Sequence, residues 1–156
     1  MHSPPLFALA LLSASALGYE VLLLRLLSII QWHHFAYMMI SVALLGYGAA
    51  GTAVALARSV LAPRFQGVFI GGAVLFGLSA ITCFSLAQQV PFNPLEILWD
   101  ARQSARLLMI YLLLFVPFFC AAVSICLTFT CFQEQIQRID AFDIFGAGVG
   151  SLAIVA

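Results

Sequence analysis

Lysine is absent from this 156-residue chain. All six basic side chains are arginines, six acids balance them, and charged residues make up only 8% of the whole. A soluble domain carries about a quarter charged residues. A surface with this supply is not solvated by water, which excludes a soluble globular domain and points to an integral membrane protein. The formal net charge of zero lacks the basic excess that a nucleic-acid binder needs, so no nucleic-acid partner is expected. Low-complexity segments and a polar tail are also missing. The four cysteines, Cys83, Cys120, Cys126 and Cys131, form no CxxC pair and sit within apolar runs. They read as small buried apolar residues. The start, "MHSPP", lacks the positive region of a signal peptide, and the apolar run after it continues past any cleavage point. It reads as a span, not a leader.

What the chain has in abundance is apolar sequence, 64% of all residues. It falls into five segments, at about 6–30, 35–57, 67–88, 107–132 and 141–156. The first four reach the roughly 20 residues a helix needs to cross hydrocarbon. Lipid cannot satisfy exposed backbone groups, so helices are the expected form. The expected fold is an all-α, polytopic transmembrane helix bundle, forming a single domain over residues 1–156, with four full spans and the start of a fifth. The fifth segment, about 15 residues or roughly 23 Å long, is short of a bilayer core of about 30 Å. No cap, proline or charge terminates it. The expectation is that the sequence stops inside a helix of a longer protein.

The connections are short, and "QWHH" between the first two spans predicts that these are adjacent and antiparallel. In the longest, "QVPFNPLEILWDARQSAR", Asn93 suits an N-cap, Pro94 the first helical position and Glu96 the third. A short interfacial helix over about 94–104 is expected there. Trp32 and Trp99 fall in the first and third connections, on one side of the membrane, where tryptophan prefers the interface. Arg58, Arg64 and Arg138 on the N-terminal side against Arg102 and Arg106 on the other slightly favour a cytoplasmic N-terminus.

Several patterns resemble sites. "GYGAAG", Gly46–Gly51, matches G-x-G-x-x-G, but it lies mid-span and the next acid is Glu96. A dinucleotide site needs a strand before it and an acid about 20 residues on. Gly46, Ala50 and Gly51 instead read as small residues for close helix packing, as do Gly146 and Gly150 in "FGAGVGS". His33 and His34 are adjacent, not at the i, i+4 spacing of a shared metal. They read as interfacial polar residues beside Trp32, and no metal site is expected. Asp140 and Asp143 read as carboxylates at the start of the fifth helix, capping free N–H groups, or alternatively as a polar site at the membrane surface.

The most informative stretch is "GYEVLLLRLL", residues 18–27. Glu20 lies about ten residues, or roughly 15 Å, from the Trp32 end, near midplane. A centred charge costs on the order of 2.5–3.5 kcal/mol on insertion scales. Arg25 is closer to the interface, where its long side chain can snorkel. Five residues put the two about 140° apart around a helix, so they are poor partners for each other. Each is expected to face another helix, with Tyr19, Ser41, Tyr47 and Ser124 as candidate partners. A buried structural hydrogen bond and an intramembrane substrate or proton site both stand as readings of this pair.

The stretch "LLSASALGYEVLLLRLLSIIQWHHFAYMMISVALLGYGAAGTAV" resembles the N-terminal membrane region of bacterial spermidine synthase-like, multi-pass membrane proteins. The matching positions are Glu20, Leu23, Arg25, Ser28, Trp32, His34, Phe35, Ser41, Leu44, Leu45, Gly46 and Gly48. Pro117, Phe118 and Phe119 match the family's P-F-F segment. Asp143, Gly146, Ala147 and Gly150 match its Y-x-A-D-L-x-G-A-x-x-G segment, with Asp140 where the family has tyrosine. The resemblance implies a bacterial inner-membrane region preceding a soluble domain of the aminopropyltransferase or methyltransferase type. That domain, and the S-adenosylmethionine-derived cofactor it binds, are not in this sequence, so no cofactor and no catalytic residue are expected in this chain.

Two functions are expected from different classes. One is an anchor for such a soluble domain, with a site for a small polar or cationic substrate at Glu20 and Arg25. The other is a structural or accessory subunit of a larger membrane complex, with the glycine-rich faces of the second and fifth helices against partner subunits. No inverted repeat marks a standalone transporter.

Overall fold

The structure, a computed structural model, describes residues 4–30, 34–90 and 101–155. His33, Trp32, Trp99 and the helix start expected at Asn93–Glu96 lie outside them, and the side chain of His34 is likewise not described. The described residues are helical almost throughout and contain no strand. The helices are α1 (Leu6–Ile30), α2 (His34–Leu56), the short α3 (Arg58–Leu61), α4 (Phe65–Gln89), α5 (Ala101–Cys131) and α6 (Ile136–Val155). Four stretches are long and apolar enough to cross a membrane, Leu6–Ser28, Tyr37–Leu56, Arg58–Gln89 and Arg102–Cys131. The chain is an all-α, multi-pass membrane protein.

Two helices begin earlier than hydropathy predicts. Among the described residues α5 already runs from Ala101, so residues 101–104, expected to end a separate interfacial helix, belong to it. α6 starts at Ile136, not near Ala141, and its 20 residues rise about 30 Å. Asp140 and Asp143 therefore stand within the helix and do not cap its start. In both cases the added turns are polar (Arg102, Gln103, Gln137, Arg138) but made of good helix formers. Hydropathy marks the apolar part of a helix, and these helices outrun it.

α5 is the centre of the bundle. It packs along α4 on one side and α2 on the other, while α6 lies along α1. Leu9, Leu12 and Ala16 of α1 meet Phe69 and Phe76 of α4, Ala121 and Ile125 of α5 and Ile139 of α6 in one buried cluster. A second cluster joins Leu23 to Met39 and Val42 of α2 and to Ile110, Leu114 and Phe118 of α5. Pro117, inside α5, has no N–H to give to the preceding turn. It is fully buried, and a proline inside a span is tolerated where the surrounding bundle serves the freed carbonyl.

Lipid gives no hydrophobic drive for helices to associate, so close approach at small residues must supply the attraction. The α1–α6 seam is built this way. A Cβ on Gly146 would run into the Ala10 backbone, one on Gly150 into the Ala14 backbone, and one on Gly18 would lie 3.1 Å from Ile154 Cδ1. Ala10, Ala14 and Gly18 pair with Gly146, Gly150 and Ile154 in ascending order, so α1 and α6 run parallel. Phe65 against Phe132 and Ser124 bonded to Phe69 show α4 and α5 running antiparallel.

Gly46 meets Phe118 of α5, whose Cβ would be 2.8 Å from a Cβ on the glycine, and Ala50 is fully buried. Gly51 departs from the expected packing face. A Cβ there would meet nothing within 4 Å, because the α2 surface in contact with α5 has turned away from it.

Candidate functional site

Glu20 and Arg25 do not meet. Arg25 points along the α6 side of α1 and donates from Nη1 to the Ile154 carbonyl oxygen at 3.1 Å. Its charged head is thus held by a backbone acceptor of the neighbouring helix, at the bundle surface. Glu20 is half-buried on another face of α1, and no hydrogen bond to its carboxyl is formed among the described residues.

Of the four polar side chains expected near Glu20, Tyr47 lies within electrostatic range of it, and the hydroxyls of the other three bond elsewhere. Tyr19 turns to α4, where its hydroxyl donates to the Ala80 carbonyl oxygen at 3.2 Å. Its ring packs edge-on to Phe76 and tilted against Phe118. Ser41 bonds back to Tyr37 on its own helix. Ser124, fully buried, donates to the Phe69 carbonyl oxygen of α4 at 3.3 Å. Serine in a span has this choice between its own turn and a neighbour, and composition alone does not decide it.

Tyr47 is also within electrostatic reach of Asp143, and so is Cys126 of α5. Asp143 is half-buried and accepts a hydrogen bond from the Ser13 hydroxyl. Ser13 is 4% exposed and also lies within bonding distance of the Leu9 carbonyl oxygen of its own helix. Ser13 has no counterpart in the expectations from sequence. Its signal there is the seven-residue spacing from Glu20, which puts both on one face of α1. Asp140, one turn before Asp143, is exposed.

The result is a polar group drawn from three helices, Ser13 and Glu20 of α1, Tyr47 of α2 and Asp143 of α6, in which Ser13 is buried and the other three are half-buried. Both carboxyls are within electrostatic range of the Tyr47 hydroxyl, in a bundle that also buries Gln103, Ser124 and Thr128. Such groups can accept from, or pair with, a cationic or hydrogen-bonding solute, and they can carry protons. Among the described residues no three His, Cys, Asp or Glu side chains come together as a metal site, and the four cysteines are free thiols. No family model, no curated protein and no solved structure matches this chain.

Proposed function

We propose that this chain is a membrane-embedded anchor region like that of spermidine synthase-like proteins, and that its half-buried acids bind a small polar or cationic substrate. The observation that carries the reading is the placement of Glu20. An acid in a span is costly, and a structural acid would be expected to have its hydrogen bonds made. Glu20 accepts none among the described residues, while Tyr47 of another helix lies within reach of both its charge and that of Asp143. Arg25, the nearest basic residue in sequence, is engaged with Ile154 and leaves the acid free to meet an outside cation. Anchoring of a soluble domain and a bacterial inner-membrane location rest on the sequence resemblance.

The test is equilibrium binding of radiolabelled spermidine to the purified chain in detergent micelles. Glu20→Gln keeps the shape and removes the charge, and binding should weaken about tenfold or more, with helicity by circular dichroism unchanged. Equal binding by a well-folded Glu20→Gln variant sinks the site.

A second reading, an accessory subunit of a membrane complex, is favoured by the outer face of α4. Gly67 and Gly71 stand four residues apart there, and a Cβ on either would meet nothing within 4 Å, as expected for a face that could seat another helix. Extraction in mild detergent separates the two. A stoichiometric set of copurifying membrane subunits supports this second reading, and a chain that purifies alone supports the first.

A further inference from the structure

On the N-terminal side of the bundle, α2 ends at Leu56, α5 ends at Cys131 and α6 begins at Ile136. Between these ends lies a groove of about 420 Å³ lined by Arg58, Thr130, Cys131, Phe132, Gln133, Glu134 and Gln135. The apolar stretches Tyr37–Leu56 and Arg102–Cys131 both end beside it, the level at which membrane-spanning helices meet lipid headgroups. Leu56 and Val60, 88% and 63% exposed, offer apolar surface beside Arg58, and the Gln133–Gln135 turn is polar and exposed.

Arg58 and Glu134 are the two charged side chains of this lining. They share the groove without pairing: no ion pair joins them, and neither bonds another described residue. Opposite charges held apart across one polar groove match a ligand that itself carries both signs. At this depth the molecule with that pattern is a zwitterionic phospholipid.

We propose that the groove binds the headgroup of a phosphatidylethanolamine, with the phosphodiester on Arg58 and the primary ammonium on Glu134. A guanidinium presents a planar fork of donors that suits phosphate oxygens. A carboxylate is acceptor-only and takes hydrogen bonds from an ammonium that has N–H groups. Choline has none, and phosphatidylglycerol has no cation, so both lipids satisfy Arg58 and fail Glu134. The Gln133 and Gln135 side chains add neutral donors and acceptors at the rim. Exposed Leu56 and Val60 continue the site toward the acyl chains. This site is separate from Glu20 and Asp143, and it stands or falls without them.

The test is native mass spectrometry of the full chain in mild detergent doped in turn with phosphatidylethanolamine, phosphatidylcholine or phosphatidylglycerol. The wild type should retain phosphatidylethanolamine about tenfold over the other two, the loss expected for one charge-assisted hydrogen bond. Arg58→Gln should lower retention of all three lipids. Glu134→Gln, at an exposed position without bonded partners, should leave thermal stability unchanged and abolish the preference. Equal retention of the three lipids by the wild type overturns the proposal. So does a preference that survives Glu134→Gln, or competition by inorganic phosphate that is as strong against Arg58→Gln as against the wild type.

Discussion

Gly146 of α6 lies against the backbone of Ala10 of α1 so closely that a side-chain carbon on the glycine would overlap the Ala10 carbonyl. One helical turn on, Gly150 stands in the same relation to Ala14. The α1–α6 seam therefore depends on the lack of a side chain at both glycines. Gly148, between the two, faces open space. Gly146→Ala should push the helices apart, at a cost of about 1–3 kcal/mol for overpacking a tight contact. Gly148→Ala should be neutral or slightly stabilising, since alanine is the better helix former by up to about 1 kcal/mol. Thermal unfolding in detergent distinguishes them: the melting temperature falls for Gly146→Ala and holds for Gly148→Ala. Equal effects would show that the contact does not set the seam.

The same contrast applies within "GYGAAG". Gly46 is pressed against Phe118, and Gly51 meets nothing within 4 Å. Gly46→Val should destabilise by about 1–3 kcal/mol, and Gly51→Ala should raise stability by about 0.5–1 kcal/mol. Unfolding by sodium dodecyl sulfate, followed by circular dichroism, measures both. A Gly51→Ala variant more damaged than Gly46→Val would mean that α2 meets α5 through a different face.

These glycines show how far sequence carries the fold. Spacing of four is enough to put Gly46, Gly146 and Gly150 on packing faces. Spacing does not say what covers each face, so it groups Gly51 with Gly46 although only one of them is covered. The helical turns at Ala101 and Ile136 escape hydropathy for another reason. They are polar, and hydropathy reads polarity as a break where the backbone simply continues as helix above the hydrocarbon. In the candidate site, the cost of burial marks Glu20, and the angle around α1 separates it from Arg25. Which helix faces Glu20 is not legible in the sequence, because partner choice depends on the bundle's order. Ser13 carries little signal, because a serine in a span commonly satisfies itself on its own turn. Here it reaches the Leu9 carbonyl in that way and Asp143 as well.

That last bond gives a prediction. Ser13→Ala removes the hydrogen bond that Asp143 accepts and leaves a half-buried carboxyl unserved. The expected loss is about 1–3 kcal/mol. Ser13→Ala combined with Asp143→Asn should cost less than the sum of the two single changes, because the pair shares one interaction. A stability cycle on the four proteins reads this directly, and strict additivity would refute the link between α1 and α6 at this level.

Tyr19 ties α1 to α4 by a polar contact, its hydroxyl on the Ala80 carbonyl oxygen, while its ring fills space against Phe76 and Phe118. Tyr19→Phe should cost only about 0.5–1.5 kcal/mol, the net worth of one hydrogen bond. Tyr19→Ala should cost about 3–5 kcal/mol, the range for emptying an aromatic site. Thermal melting of both variants is the measurement. A Tyr19→Phe loss as large as that of Tyr19→Ala would mean that the hydroxyl, not the ring, holds this junction.

Glu20 and Arg25 are the two charges that set the first span apart, and the structure sends them to different places. Arg25 is bonded to the Ile154 carbonyl oxygen, and Glu20 lies within electrostatic reach of Tyr47. Residues without a shared partner contribute independently, usually within about 0.3–0.5 kcal/mol. A double-mutant cycle with Glu20→Gln and Arg25→Gln should therefore be additive in stability. Arg25→Gln should loosen the far end of the α1–α6 seam, seen as faster amide exchange around Ile154, and leave spermidine binding unchanged. Glu20→Gln should do the reverse. A coupling energy well above about 0.5 kcal/mol would mean the two charges act as a pair in the folded protein, and the assignment of Glu20 to a binding site would lose its basis.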